Sequence, residues 1–354
     1  MDYLPSYSSL PVHILASSFK HKATTYKFYW FISLIEEIEK KNYVISKQHL
    51  FARMIANSWY TINYFHLSFG KQDQLERAVT RLLATENLTI DENKGRIFEK
   101  LISSVNIGTA KTLKYFDGEV PHCFLSPWYN DTKGHKKTIY DLSRSFSNNS
   151  IYAVDENTVS INPAWIQYLS ENSGILKAFC YWNLCLYLQK HNPNVPDIAN
   201  KLIKSPIRKL LTNQRKFWNA VITVNGPVKC IYTDNLLGMN EFAVEHFIPF
   251  AFVSHDLIWN LIPADKRFNS SKSDKIPPFK DYFEKYFQVQ EMALKTIHQL
   301  SPTHKLLEDY LTFLPDLDLL HKDNREELRK RFEDNIKPLI TIAANNGFEY
   351  MKSI

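Results

Sequence analysis

Apolar residues recur at intervals of three and four along most of the chain, as in TYKFYWFISLIEEIEK and SKQHLFARMIANSWYTINYF. That period places one apolar stripe on each of a series of α-helices. From about Phe19 to Phe116 the pattern is nearly unbroken, glycine and proline are sparse, and consecutive amphipathic helices are predicted. The aromatic cluster Tyr26, Phe28, Tyr29, Trp30 and Phe31 has the density of a helix core, although such rings are also stacking platforms for bases. At Gly118 the punctuation changes, and the two prolines of EVPHCFLSPWYND predict an irregular crossing between helical units. SIYAVDENTVSINPAW alternates apolar and polar residues around a turn, which predicts a short hairpin near Ile151 to Ile161. Helices resume at Trp165 and, after Pro193 and Pro196, run through DIANKLIKSPIRKLLTNQRKFWNAVI.

From Gly226 the texture shifts. VKCIYTDNLLGMNEFAVEHFIPF reads as two short strands joined by a polar turn with Asn235 and Gly238, followed by a loop containing Asn260 and a short helix near Ser270. Beyond Pro278 amphipathic helices return, and the last, NREELRKRFEDNIKPLITIAANN, is expected to break or kink near Pro338. The fold class is therefore mainly α. Four regions are expected: an N-terminal helical region 1–117, a middle, mostly helical region 118–225, a strand-containing module 226–285, and a C-terminal helical region 286–354.

Composition narrows the function classes. At 354 residues and 44% hydrophobic the chain can bury a sizeable core, and its formal charge of +6 favours a polyanionic partner without demanding one. Cys123, Cys180, Cys185 and Cys230 form no C-x-x-C pair and no disulfide framework, which fits a reducing compartment. Neither a secretory signal pattern nor a run of eighteen apolar residues is present, so a cytoplasmic protein without a membrane partner is expected. With no Walker-type glycine loop, an intrinsic ATPase is disfavoured.

The chemistry concentrates in VEHFIPFAFVSHDLIWNLIPADKRFNSSKSDKIP, from Val244 to Pro277. A strand ends in Glu245-His246, Asn260 follows fourteen residues after His246, and Asn269 follows twenty-three after it. Histidine, with its near-neutral pKa, suits the generation of a nucleophile at physiological pH. The ordered set resembles the HNH (ββα-metal) nuclease motif, and its H…N…N spacing resembles that of the HNH domain in RNA-guided CRISPR effector nucleases. The likeness covers roughly fifty residues and extends to Pro249, Leu261, Lys272, Ser273, Asp274 and Pro277.

The resemblance implies a ββα-metal module in 226–285 that hydrolyses DNA phosphodiester bonds, with RNA open as a second substrate. It implies His246 as general base, and Asn260 as the residue that braces the loop and orients the base. Glu245 and Asn269 are implied as ligands of Mg²⁺ or Mn²⁺. The family more often carries Asp where Glu245 stands. Lys266, Arg267, Lys272 and Lys275 lie on or beside the short helix and are candidate phosphate contacts, as are Arg215 and Lys216 at the end of a second basic stretch with Lys201, Lys204, Arg208 and Lys209. Cys230 stands where many such modules begin a zinc-binding pair, but Thr233 occupies the second position, so a structural zinc is not expected. His255 reads as a loop residue or a substrate contact, and Leu257, Trp259, Leu261 and Ile262 as the module's small core. By analogy, bacterial restriction or anti-phage defence is the suggested setting, with a homodimer or a protein partner as candidate assemblies. The competing class is a nucleic-acid-binding or effector-assembly protein whose nuclease motif has decayed.

Overall fold

The computed structural model describes residues 4–20, 23–202, 210–317, 320 and 324–352. Within these the chain divides into two compact units, residues 4–193 and 198–202 in the first and 194–197 and 210–352 in the second. Helices dominate both, as the three-and-four periodicity requires.

In the first unit, the helices Tyr26–Glu39 and Lys47–Asn63 pack against each other, and Lys94–Ser103 and Ser173–His191 flank them. Tyr26, Phe28, Tyr29, Trp30 and Phe31 are all buried, so this aromatic cluster is core. The hairpin expected near Ile151 to Ile161 forms from β2 (Tyr152–Val154) and β3 (Thr158–Ile161). A third strand, β1 (Val44–Ser46), interrupts the helical run and completes an antiparallel sheet of order β1-β3-β2. Three residues between two helices are too few to register as alternation, which is why the pattern passes over β1.

The second unit carries the strand-containing module. β4 (Val228–Lys229) pairs with β5 (Leu236–Leu237) around a turn in which Asp234 takes a left-handed conformation. β6 (Ala243–His246) pairs with β7 (Leu261–Ala264), not with its predecessor. The loop expected to contain Asn260 thus reduces to a short turn, Ile258–Asn260, that runs directly into a strand. All four residues of β7 are buried, and a wholly buried strand shows a continuous apolar run with no alternation to reveal it. A short helix, Lys266–Lys272, follows directly. The long helix Phe279–Leu300 then packs behind β7 and along Arg325–Asn345. The latter runs through Pro338 as one element, so the expected break is absent; the proline withholds a single N–H from an otherwise continuous helix of twenty-one residues. Among the described residues no helix is long and apolar enough to cross a membrane.

Candidate active site

Register comes first, because it fixes where the polar groups emerge. In the β6–β7 pair Glu245 lies opposite Ile262 and His246 opposite Leu261. Ile262 and Leu261 are both fully buried, and a slip of one residue would exchange the faces of every side chain in the pair. The strand end is then clamped by Asn260. Its backbone carbonyl accepts from Phe247 N–H at 2.8 Å, its Oδ1 accepts from Ile248 N–H at 2.8 Å, and its Nδ2 donates to the Ile248 carbonyl at 2.9 Å. Asn260 has 0% exposure, so water cannot replace these bonds and each contributes more than a surface bond would. The chain leaving His246 is therefore held by a side chain fourteen residues away in sequence.

His246 is itself buried, and its Nε2 lies 3.0 Å from Asp256 Oδ1. Its ring stands edge-on to Phe250 at 5.4 Å between centroids. Asp256 reaches this position because Phe250–Val253 makes one helical turn and Ser254, at φ 59°, reverses the chain. Sequence reasoning did not single out Asp256 as a partner of the histidine. Ten residues of intervening chain carry no periodicity that would announce the contact. His255, next to it, stacks edge-on to Trp259 at 5.2 Å and accepts from Leu257 N–H at 3.5 Å.

The Lys266–Lys272 helix supplies the third side of the site. Asp265 caps it, accepting from Arg267 N–H at 2.8 Å and Phe268 N–H at 3.2 Å. Those bonds, led by the one from Phe268 and joined by the Asn235 amide, hold the Asp265 carboxyl below its ordinary pKa. Cys230 Sγ accepts from Asp265 N–H at 3.4 Å, and Phe268 stacks on Tyr232 at 4.6 Å, so the β4 side of the module anchors the helix start. Tyr232 is buried, and burial, reinforced by the nearby Glu245 charge, pushes its phenol well above the ordinary value. At the other end Lys272 Nζ donates to Glu245 Oε1 at 2.7 Å and to the His246 carbonyl at 2.9 Å. Asn269 lies three residues earlier on the same helix, a neighbour of Lys272 along the helix surface.

The basic residues separate into different environments. Lys266, Arg267, Lys275 and Lys216 are exposed, and Lys266 Nζ also donates to the Asn240 carbonyl at 3.2 Å. Lys272, expected beside them at the surface, has a side chain with 0% exposure and spends its charge on Glu245. Its four-carbon stem lets an ammonium sit inward from a helix whose polar composition suggested an outward face. Arg215 is half-buried, donates to the Phe242 carbonyl at 2.8 Å and lies over the Phe242 ring at 5.2 Å. Lys201 is buried within the first unit, and Lys204, Arg208 and Lys209 lie outside the described residues.

A second layer of buried polar groups supports the frame from the Phe279–Leu300 helix. Gln290 donates to the carbonyls of Leu261 at 2.8 Å and Ile258 at 3.2 Å, and accepts from Tyr310 Oη at 2.6 Å. Tyr286 donates to the Trp259 carbonyl, and Asp309 accepts from Ile258 N–H at 2.8 Å. These contacts satisfy the backbone around Asn260, where an unpaired buried group would destabilise the loop.

Among the described residues no group of three or more His, Cys, Asp or Glu is arranged to hold a metal ion. A cation at this site would rest on the Glu245 carboxylate, the Asn269 amide oxygen and its own water. That sparse oxygen set suits a hard divalent ion that keeps most of its hydration and accepts substrate phosphate, and it would not suit zinc. The donor chemistry is that of a hard divalent-ion site, with the Lys272 ammonium as a neighbour that any such ion must accommodate.

Residues 230–278 match the family model described as HNH endonuclease. The match begins at Cys230, directly after β4, and takes in β5, the β6–β7 pair and the Lys266–Lys272 helix. No curated protein and no solved structure matches the chain. The chain carries an HNH endonuclease domain in its second unit.

Proposed function

We propose that this HNH endonuclease domain hydrolyses DNA phosphodiester bonds with Mg²⁺ or Mn²⁺, using His246 as general base. The observation that carries the reading is the docking of the Lys266–Lys272 helix onto the end of β6. Lys272 bonds both Glu245 and the His246 carbonyl, so the helix that carries Asn269 is docked on the strand end that carries the carboxylate and the imidazole. Phosphodiester hydrolysis needs those three tasks: a base for water, a charge to hold a cation, and a rigid scaffold aligning them.

In this reading Asp256 orients the base. With Nε2 as the protonated nitrogen facing Asp256 Oδ1 at 3.0 Å, the neutral ring keeps its accepting lone pair on Nδ1, which takes the proton from water. The imidazolium so formed is then stabilised by the carboxylate it already faces. Glu245 and Asn269 would hold the divalent ion, which when bound stabilises negative charge on the phosphate oxygens. Asn260 touches no substrate in this scheme. It fixes the Phe247–Ile248 backbone and so the direction in which His246 points.

Supercoiled plasmid incubated with the purified protein should be converted to nicked circles in Mg²⁺ or Mn²⁺ and stay intact in EDTA. A preparation that binds plasmid yet nicks neither it nor single-stranded RNA in any divalent ion would overturn the reading. Asp256→Asn should lower the nicking rate by about 10- to 100-fold, because an amide can present its N–H to the ring and turn the tautomer over. An Asp256→Asn rate equal to wild type would remove Asp256 from the mechanism.

Lys266, Arg267 and Lys275 are the exposed cations beside the helix and the proposed phosphate contacts. Replacing all three by Gln should weaken binding to unrelated DNA sequences alike. The slope of log affinity against log salt should flatten by roughly 2 to 3, at about 0.9 per phosphate contact. An unchanged slope would put the DNA path on another face of the module.

A further inference from the structure

Neither the base nor the ligand set uses the Lys272 ammonium. Its side chain has 0% exposure, its partner Glu245 is 10% exposed, and its remaining contact at 2.9 Å is a backbone carbonyl at the end of β6. A lysine with no solvent access keeps its charge only where a counter-charge is at hand, and the Glu245 carboxylate supplies it at 2.7 Å. The converse holds equally. Glu245 is buried in a strand whose neighbours are apolar, and without a cation its charge would be uncompensated.

We infer that Lys272 is a resident counter-cation that occupies Glu245 in place of the divalent ion, keeping the metal-free domain folded and weakening metal binding. The inference rests on the proposed assignment of Glu245 as a metal ligand. The carboxylate that would hold a dication already spends one oxygen on an ammonium. A dication arriving at the other oxygen meets a positive charge across a single carboxylate, and the ammonium must share Glu245 or leave it. Even at the dielectric of water, that repulsion over a few ångströms corresponds to roughly a tenfold loss of affinity or more. The backbone bond to the His246 carbonyl gives Lys272 a second foothold, so sharing does not require the helix to undock.

Two uncharged variants of the full-length protein test this, Lys272→Met, which keeps the stem, and Lys272→Gln, which keeps a donor. Two readouts are needed, and neither is cleavage: Mn²⁺ affinity from the loss of the free-ion EPR signal, and melting temperature with and without saturating Mn²⁺. In both variants the metal-free melting temperature should fall below wild type, the Mn²⁺-induced rise should exceed the wild-type rise, and Mn²⁺ should bind about tenfold tighter. Lys272→Arg, which keeps the charge, should bind Mn²⁺ as wild type does. Equal or weaker Mn²⁺ binding by a folded uncharged variant overturns the inference. So does a variant that stays unfolded at saturating Mn²⁺, since the ion would then not replace what the ammonium does. Failure of the underlying assignment looks different: Mn²⁺ binding to wild type would be absent, or unchanged by Glu245→Gln and Asn269→Ala. Binding that depends on Glu245 and Asn269 yet ignores Lys272 would sink this inference alone.

Discussion

His246→Ala is expected to lower the rate of plasmid nicking by about 10² to 10⁴, the usual range for a lost general base, while DNA affinity stays within about twofold. The substitution removes a ring packed against Phe250 and bonded to Asp256, and the Asp256 side chain, 23% exposed, can be reached by water once the ring is gone. The fold should therefore lose only about 1 kcal/mol, the ordinary cost of a point substitution. Melting temperature, gel-shift affinity and nicking rate measured on one preparation separate the three effects. Imidazole added to His246→Ala should restore part of the rate, because a small base can enter the space vacated beside Asp256. A variant that is folded, binds DNA and nicks at the wild-type rate would place the chemistry elsewhere in the chain.

Much of this site can be read in the linear order of residues, and the reason is physical. Glu245, His246, Asn260 and Asn269 belong to one short span in which a strand, a buried return strand and a helix follow each other directly, so sequence spacing and spatial order nearly coincide. The helical framework was legible for a similar reason, since a period of 3.6 is written locally. What stayed hidden depends on contacts that sequence spacing does not encode. Asp256 meets His246 only because Ser254 turns the chain back. Lys272 turns inward because its partner is a buried glutamate twenty-seven residues earlier. Gln290 and Tyr310 come from helical stretches whose pattern reports amphipathicity, and a glutamine on such a helix gives no sign that it will pair with the carbonyls of Ile258 and Leu261. Arg215 illustrates the opposite error of reading charge as surface, for its guanidinium is engaged with Phe242.

The distinction between chemistry and bracing is sharpest at Asn260, where a second large effect is expected. Asn260→Ala removes both halves of an amide that pairs with the N–H and the carbonyl of Ile248, and leaves those two groups without partners in a fully buried loop. At about 1 to 3 kcal/mol for each unsatisfied group, the domain should lose roughly 2 to 6 kcal/mol. Asn260→Asp should be no better, because it keeps the acceptor for Ile248 N–H but sets a carboxylate against the Ile248 carbonyl with no solvent to relieve it. Both variants should lose nicking activity in proportion to the loss of order at the end of β6. The proportionality is testable by cooling: at temperatures well below its melting transition, Asn260→Ala should regain a larger fraction of wild-type activity than His246→Ala does. If instead Asn260→Ala melts like wild type and its rate remains depressed at every temperature, Asn260 acts on the substrate, and the hydrogen bonds to Ile248 are not its purpose.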